Sequence, residues 1–153
     1  MAMFPALRQA LADVTALGAV RGFAATASGL RRYRAGRRGP LSRWERNWFA
    51  NHPVQGSAAV AFKAAGNRLD KLYRRYGAWL IIPMHDAYVF EAPLGVLGEV
   101  AALTARVMCE AVQEYFSELR PRAEVNIDAP SCWNKGGHAD AVEQWVVDPM
   151  YTF

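Results

Sequence analysis

Between Val54 and Tyr76 the apolar residues Ala58, Phe62, Ala65, Leu69, Leu72 and Tyr76 mark one face of a long helix, and Gly77 is placed to close it. Two β-rich runs follow at once, Trp79 to Met84 and Tyr88 to Ala92, flanking His85-Asp86-Ala87. They read as a hairpin with its polar residues at or beside the turn. Pro93 then sits where a helix would start, and Leu97, Val100, Thr104, Val107, Ala111 and Tyr115 continue a helical stripe to about Leu119. Glu124 to Ile127 suits a third strand. The expected class is therefore α+β: a small antiparallel sheet, made of the hairpin around His85-Asp86 plus a third strand, covered by two long helices.

The N-terminal part is less regular. Phe4 to Leu17 carries Leu7, Ala10, Leu11, Val14 and Leu17 at helical spacing, with Gly18 as the expected stop. Val20 to Ser28 reads as extended. The Arg/Gly segment through Pro40 reads as a loop, because Gly36, Gly39 and Pro40 break any period. Ser42 is a candidate cap for a short helix from Arg43 to Ala50. No internal repeat occurs, and the residues from Trp133 onward carry no clear pattern.

At 153 residues, 52% hydrophobic and 21% charged, the chain has the profile of one folded domain, not of a disordered or collagen-like polymer. Its longest apolar runs, such as Trp79 to Met84, fall far short of the roughly 20 residues a spanning helix needs. No membrane association is expected. Cys109 and Cys132 lie 23 positions apart without a CxxC spacing and with only three histidines in the chain, so neither a disulfide framework nor a structural zinc is expected. A reducing, cytoplasmic setting is the default.

The net charge of +4 conceals a division. Residues 1 to 85 hold 14 Lys+Arg against 3 Asp+Glu, whereas residues 86 to 153 hold 4 against 11. Eight arginines fall between Arg21 and Arg46 (among them Arg31, Arg32, Arg37 and Arg38), opposed only by Glu45. Planar, permanently charged donors at that density suit phosphate contact, and they equally suit a solvated loop.

Asp86 is the strongest catalytic candidate on physical grounds, since a carboxylate at a hairpin turn beside an imidazole is rigidly held while its head reaches solvent or a metal. On spacing alone, a turn aspartate that satisfies local backbone amides is the commoner arrangement. A phosphate-bound divalent metal also calls for another acid. Strand alternation argues against Glu91, because it falls on the face opposite Asp86, Tyr88 and Phe90. Asn51 and Gln55, four apart at the expected helix entrance, have amides suited to minor-groove base edges, where readout is nearly sequence-blind; Asn51 also suits a plain helix cap.

The stretch Asn51-His52-Pro53-Val54-Gln55-Gly56-Ser57-Ala58-Ala59, with His85-Asp86 beginning about thirty residues later and Phe90-Glu91-Ala92-Pro93 behind it, resembles the family A DNA polymerases. In that family an N-x-P-x-Q-G-(S/T)-A-A segment opens a long helix and a V-H-D-E hairpin follows. Gly22 to Tyr33 is similar to the family's G-x-x-x-T-x-x-G-R-R-R stretch, with Glu45-Arg46 just ahead of Asn51, and Val125 to Trp133 is similar to its final strand and tryptophan. The resemblance covers roughly Phe4 to Asn134. It implies a palm-type sheet, with residues 1–52 as a partial fingers-like helix and Arg-rich loop, 53–134 as the C-terminal palm portion and 135–153 unassigned.

The resemblance further implies Asp86 as the metal-binding carboxylate, His85 beside the primer terminus, and Asn51 and Gln55 on the minor groove of a DNA primer-template. Arg46 would help hold the nearby backbone or template, and Arg31 and Arg32 would bind DNA. The implied cofactor is Mg²⁺ in a two-metal site that this chain leaves incomplete, and a dNTP would bind only with a complementing polypeptide. There are departures: Ala87 replaces the family's glutamate, Leu30 replaces the first arginine of its G-R-R-R run, and Val60 stands where an aspartate often follows the two alanines. Neither the D-Y-S-x-I-E-x-R-like strand with the other aspartate nor the K-x-x-x-x-x-x-Y-G-like nucleotide helix occurs.

Three readings follow. The chain is one piece of a divided polymerase with an N-terminal partner chain, or a non-catalytic DNA-binding accessory protein derived from a palm, or a remnant whose exposed sheet edge makes it self-associate.

Overall fold

The structure, a computed structural model, describes residues 4–35, 39–127 and 143–146. Arg37, Arg38, Cys132, Trp133 and the unassigned tail beyond Val146 lie outside them. The chain divides into two compact units, Met1–Val60 and Ala61–Phe153.

In the first unit, α1 (Pro5–Arg21) opens on Pro5, whose missing N–H costs nothing at a helix start. It runs four residues past the expected stop. Gly22, at φ 74°, is the actual left-handed cap, and its N–H returns to the Gly18 carbonyl. Gly18 is inside the helix for a different reason: a Cβ there would lie 2.3 Å from Cδ1 of Phe49, so only glycine lets that ring lie against the helix. The expected extended run shortens to β1 (Phe23–Ala25), which pairs antiparallel with β2 (Arg31–Tyr33), a strand inside the segment expected to be loop.

The cap at Ser42 holds as expected. Helix α2 (Arg43–Asn51) starts with a full capping box, Glu45 N–H donating to Ser42 Oγ at 3.2 Å and Ser42 N–H to Glu45 Oε2 at 2.8 Å. The backbone then passes through a π turn, His52–Gly56, into α3 (Ser57–Tyr73). Pro53 explains the widening, since it has no N–H for the carbonyl four residues back and its ring crowds that carbonyl. Ala24, Trp48 and Phe49 form this unit's buried apolar cluster, with Leu41 against it.

In the second unit, α3 ends in a 3₁₀ turn, Arg74–Tyr76, and Gly77 closes it at φ 64°, as the sequence led us to expect. Strands β3 (Trp79–Met84) and β4 (Ala87–Glu91) pair antiparallel, and after a 3₁₀ turn at Leu94–Val96 comes α4 (Leu97–Gln113), shorter at its end than the apolar stripe suggested. Leu69 and Tyr73 of α3 meet Val100, Leu103 and Val107 of α4 in the core, with Leu80, Tyr88 and Phe90 of the hairpin packed against them. The α+β class with two helices over an antiparallel hairpin is what the structure shows.

The third strand differs in its pairing. β5 (Glu124–Ile127) forms at the expected residues, yet its ladder partner is β6 (Glu143–Val146) and not the hairpin. Val125 instead reaches the core through side chains, against Ala101, Ala105 and Phe90. In β3 the register shifts between Leu80 and Ile82, so Leu80 stays opposite Phe90 while Ile82 moves opposite Val89. That bulge turns Ile82 outward with Ile81, because one extra residue inverts the side of every side chain beyond it.

Candidate functional site

Met84 pairs with Ala87, so His85 and Asp86 are the two central residues of a tight hairpin turn, and both are exposed. His85 has φ 49°, the one positive φ outside glycine among the described residues. Such a backbone costs energy for a side chain with a Cβ and persists only where the surroundings enforce it. Here the two-residue hairpin turn itself calls for it, and the strand behind the turn is anchored one layer down. Tyr88, two residues past the turn, stacks on Phe62 at 4.0 Å with 4° between planes, and its hydroxyl donates to the Phe62 carbonyl at 2.6 Å. A Cβ at Gly66 would sit 2.5 Å from that hydroxyl, so a glycine in α3 leaves the room for it. Burial pushes the Tyr88 phenol upward.

Glu91 pairs with Trp79 at the opposite end of the ladder from the turn, so it does not sit beside Asp86. Among the described residues no group of three or more His, Cys, Asp or Glu gathers to hold a metal ion. Asp86 thus stands as a single exposed carboxylate on a stiff turn.

The second constellation lies within the first unit. Asn51 and Gln55 are exposed and line a cleft of about 370 Å³ together with Arg32. Asn51 is in helical conformation without a side-chain cap bond, so it does not act as the helix cap. Arg31, next to Arg32 on a strand, points to the other side and lies 4.8 Å over the Phe23 ring. Arg46 is exposed, donates to the Leu41 carbonyl at 2.9 Å and does not line the cleft. The structure therefore unites Asn51, Gln55 and Arg32, and leaves Arg31 and Arg46 outside that group.

Two links hold the cleft's framework. Ser57 Oγ accepts from the Ala27 N–H at 2.8 Å and itself donates to the Pro53 carbonyl. A Cβ on Gly56 would meet the Thr26 methyl at 2.7 Å, so the Gly56-Ser57 pair and the Thr26 turn, thirty residues apart in sequence, are in direct contact. Arg34 forms a fork on Glu45, Nε to Oε1 at 2.6 Å and a second nitrogen to Oε2 at 3.3 Å, and also donates to the carbonyls of Gly39 and Pro40. The Arg34 hydrogen bond, followed by that from Ser42 N–H, holds the Glu45 carboxyl down at about 2. One arginine of the basic stretch is thus a structural ligand of its only acid.

Sequence reasoning missed Trp44, Trp48, Asn47 and His52, which line the same cleft. The signal was present: positions 44, 47, 48, 51, 52 and 55 are spaced as one helix face.

No protein-family model matches the chain. It is 36% identical over 115 residues to DNA polymerase I of Deinococcus radiodurans, a match covering 73% of this chain and 12% of that protein. It is 36% identical over 112 residues to the thermostable DNA polymerase I of Thermus thermophilus, covering 71% of this chain and 13% of that protein. The chain thus spans about an eighth of the length of these relatives. Its fold is similar to the POL domain of Pol1 from M. smegmatis in complex with DNA primer-template and dNTP, with a TM-score of 0.61 and 29% identity, covering 68% of this chain and 19% of that one.

Proposed function

Because the chain belongs to the DNA polymerase I type of family A polymerases, we propose that it forms the C-terminal part of the fingers and palm of a template-directed DNA polymerase. It works only with polypeptide that carries the remaining motifs, whether a separate N-terminal partner chain or sequence joined to this one. Asp86 supplies one carboxylate to Mg²⁺, and His85 stands beside the primer terminus. Asn51 and Gln55 contact the minor groove of the primer-template, while Arg32, Arg31 and Arg46 face its backbone. Mg²⁺ would polarise the transferring phosphate, which takes acidic ligands on more than one side, and this chain offers one. On that account it extends no primer by itself, and dNTP binds only in the assembled enzyme. A cytoplasmic setting goes with such a substrate.

The observation that carries this reading is Asp86 at the centre of a two-residue turn braced by Tyr88 and Phe62, in a chain related to DNA polymerase I over most of its length. The test is reconstitution. Mixed with a polypeptide carrying the D-Y-S-x-I-E-like and K-x-x-x-x-x-x-Y-G-like motifs and Mg²⁺, the chain should support primer extension that Asp86→Ala abolishes. Extension that survives the substitution rejects the assignment. A second reading, a non-catalytic DNA-binding accessory protein, is favoured by Ala87 in the position of the family's glutamate. It predicts salt-sensitive DNA affinity that is indifferent to Asp86→Ala.

A further inference from the structure

The cleft in the first unit contains more chemistry than its amides account for. Trp48 is buried, with Phe49 stacked on it at 4.1 Å and the Arg32 guanidinium 4.7 Å from its ring centre. Both faces are taken, so this indole is a wall. Trp44 is 66% exposed, meets Trp48 edge-on at 6.3 Å and lies 5.5 Å from the same guanidinium. It is held by its neighbours while still offering a flat face to solvent.

A second, independent observation concerns unmet hydrogen bonds. Trp48 Nε1 and His52 Nε2 are buried without a hydrogen-bond partner among the described residues, and both side chains line the cleft. Buried polar groups are nearly always satisfied, and these two orphans belong to residues that line one cleft. The lining also carries the cation of Arg32 and the amides of Asn47, Asn51 and Gln55, with no carboxylate. A simple anion would use Arg32 and the indole N–H and leave the exposed Trp44 face idle. A flat, polar-edged and anionic ligand uses every group.

We propose that this cleft receives an unpaired nucleobase of a nucleic-acid strand, stacked on Trp44, with its phosphate on Arg32 and its polar edge toward Trp48 and His52. A base within a duplex is already covered on both faces, so the ligand is single-stranded. The proposal rests on the primer-template reading and extends it from the duplex to the strand beside it.

The test compares three probes on the full chain: a blunt DNA duplex, the same duplex with an overhang of about ten thymidines, and the ten-thymidine strand alone, a length within the usual span of a single-strand site. The overhang should tighten binding about 5- to 10-fold over the blunt duplex and quench tryptophan emission, as expected for one stacked base. Trp44→Ala should abolish that increment and leave blunt-duplex affinity unchanged, whereas Trp44→Phe should keep most of it. Equal binding of blunt and overhang DNA, or a Trp44→Ala loss shared by both, overturns the proposal and leaves the primer-template reading standing. Binding of the thymidine strand through Trp44 without any duplex binding sustains the proposal and removes that reading. Binding of no probe overturns both.

Discussion

The two units reach order by different means. Among its described residues the first buries Ala24, Trp48 and Phe49 as an apolar cluster and relies on directional ties: the Ser42–Glu45 capping box, the Arg34 fork, the Ser57 bridge to Ala27, and arginine–aromatic stacks. The second gathers eight buried residues from two helices and the segment that follows α3 into one core, and exposes its candidate chemistry at a single turn. The difference follows from what each presents. The first unit keeps Arg32, Asn51 and Gln55 out of its core, so less apolar surface is left to bury and hydrogen bonds fix positions instead. A lone carboxylate asks only for a stiff turn, and an apolar platform beneath it suffices.

Large deletions should separate the units first. Phe49→Ala removes the ring that fills the space beside Gly18 and stacks on Trp48, and should cost about 3–5 kcal/mol of first-unit stability; Leu69→Ala should cost the second unit about 2–5 kcal/mol. Urea unfolding followed by tryptophan emission and by far-ultraviolet dichroism checks both. A Phe49→Ala cost near zero would mean that polar ties alone hold the first unit.

Extremes of pH should then act on the two units in opposite directions. The Glu45 carboxyl titrates lower in the folded state, near 2 against 4.5, so its stabilisation is present above pH 4.5 and lost as pH falls toward 2. Tyr73 is the reverse. Burial raises its phenol from 10 to about 12, so its contribution is complete below pH 10 and lost as pH rises toward 12. Acid should loosen the first unit and alkali the second; Glu45→Gln should flatten the acid limb and Tyr73→Phe the alkaline one, as read by dichroism across the titration.

The smallest effect tests how far the second core depends on polar bonds. Tyr73 Oη and Thr104 Oγ1 are 2.6 Å apart, and Thr104 also bonds the Val100 carbonyl at 2.6 Å. Because Thr104 keeps that acceptor, Tyr73→Phe at neutral pH should cost only about 0.5–1.5 kcal/mol, measured as a shift in urea midpoint with unchanged slope.

What was legible in the sequence was what periodicity and caps encode. The α3 stripe, its stop at Gly77, the hairpin with His85 and Asp86 at its turn and the Ser42 cap all depend on neighbours within a few residues, and all formed where expected. The misreadings involve distant partners. Gly18 looks like a terminator until Phe49, thirty-one residues on, is seen against it. β2 hides in an arginine-rich segment because its strand is short and its pairing with β1 is tertiary. The bulge that turns Ile82 outward leaves no local mark in a run of apolar residues. Of the candidate site, the amides and Asp86 were readable as motifs, whereas Trp44 and Trp48 passed unnoticed because indoles four apart on a helix ordinarily mean core.

The π turn at His52–Gly56 has a consequence for length changes in this chain. An ordinary helix turns by about 100° per residue, so an insertion or deletion within α2 swings every later side chain to a new bearing. A π turn is a helix that has already absorbed one surplus residue locally. Deleting one residue there should convert it to an ordinary turn while Trp48 before it and Ser57 after it keep their bearings. This five-residue stretch is therefore the place where the α2–α3 junction can lose a residue and remain in phase.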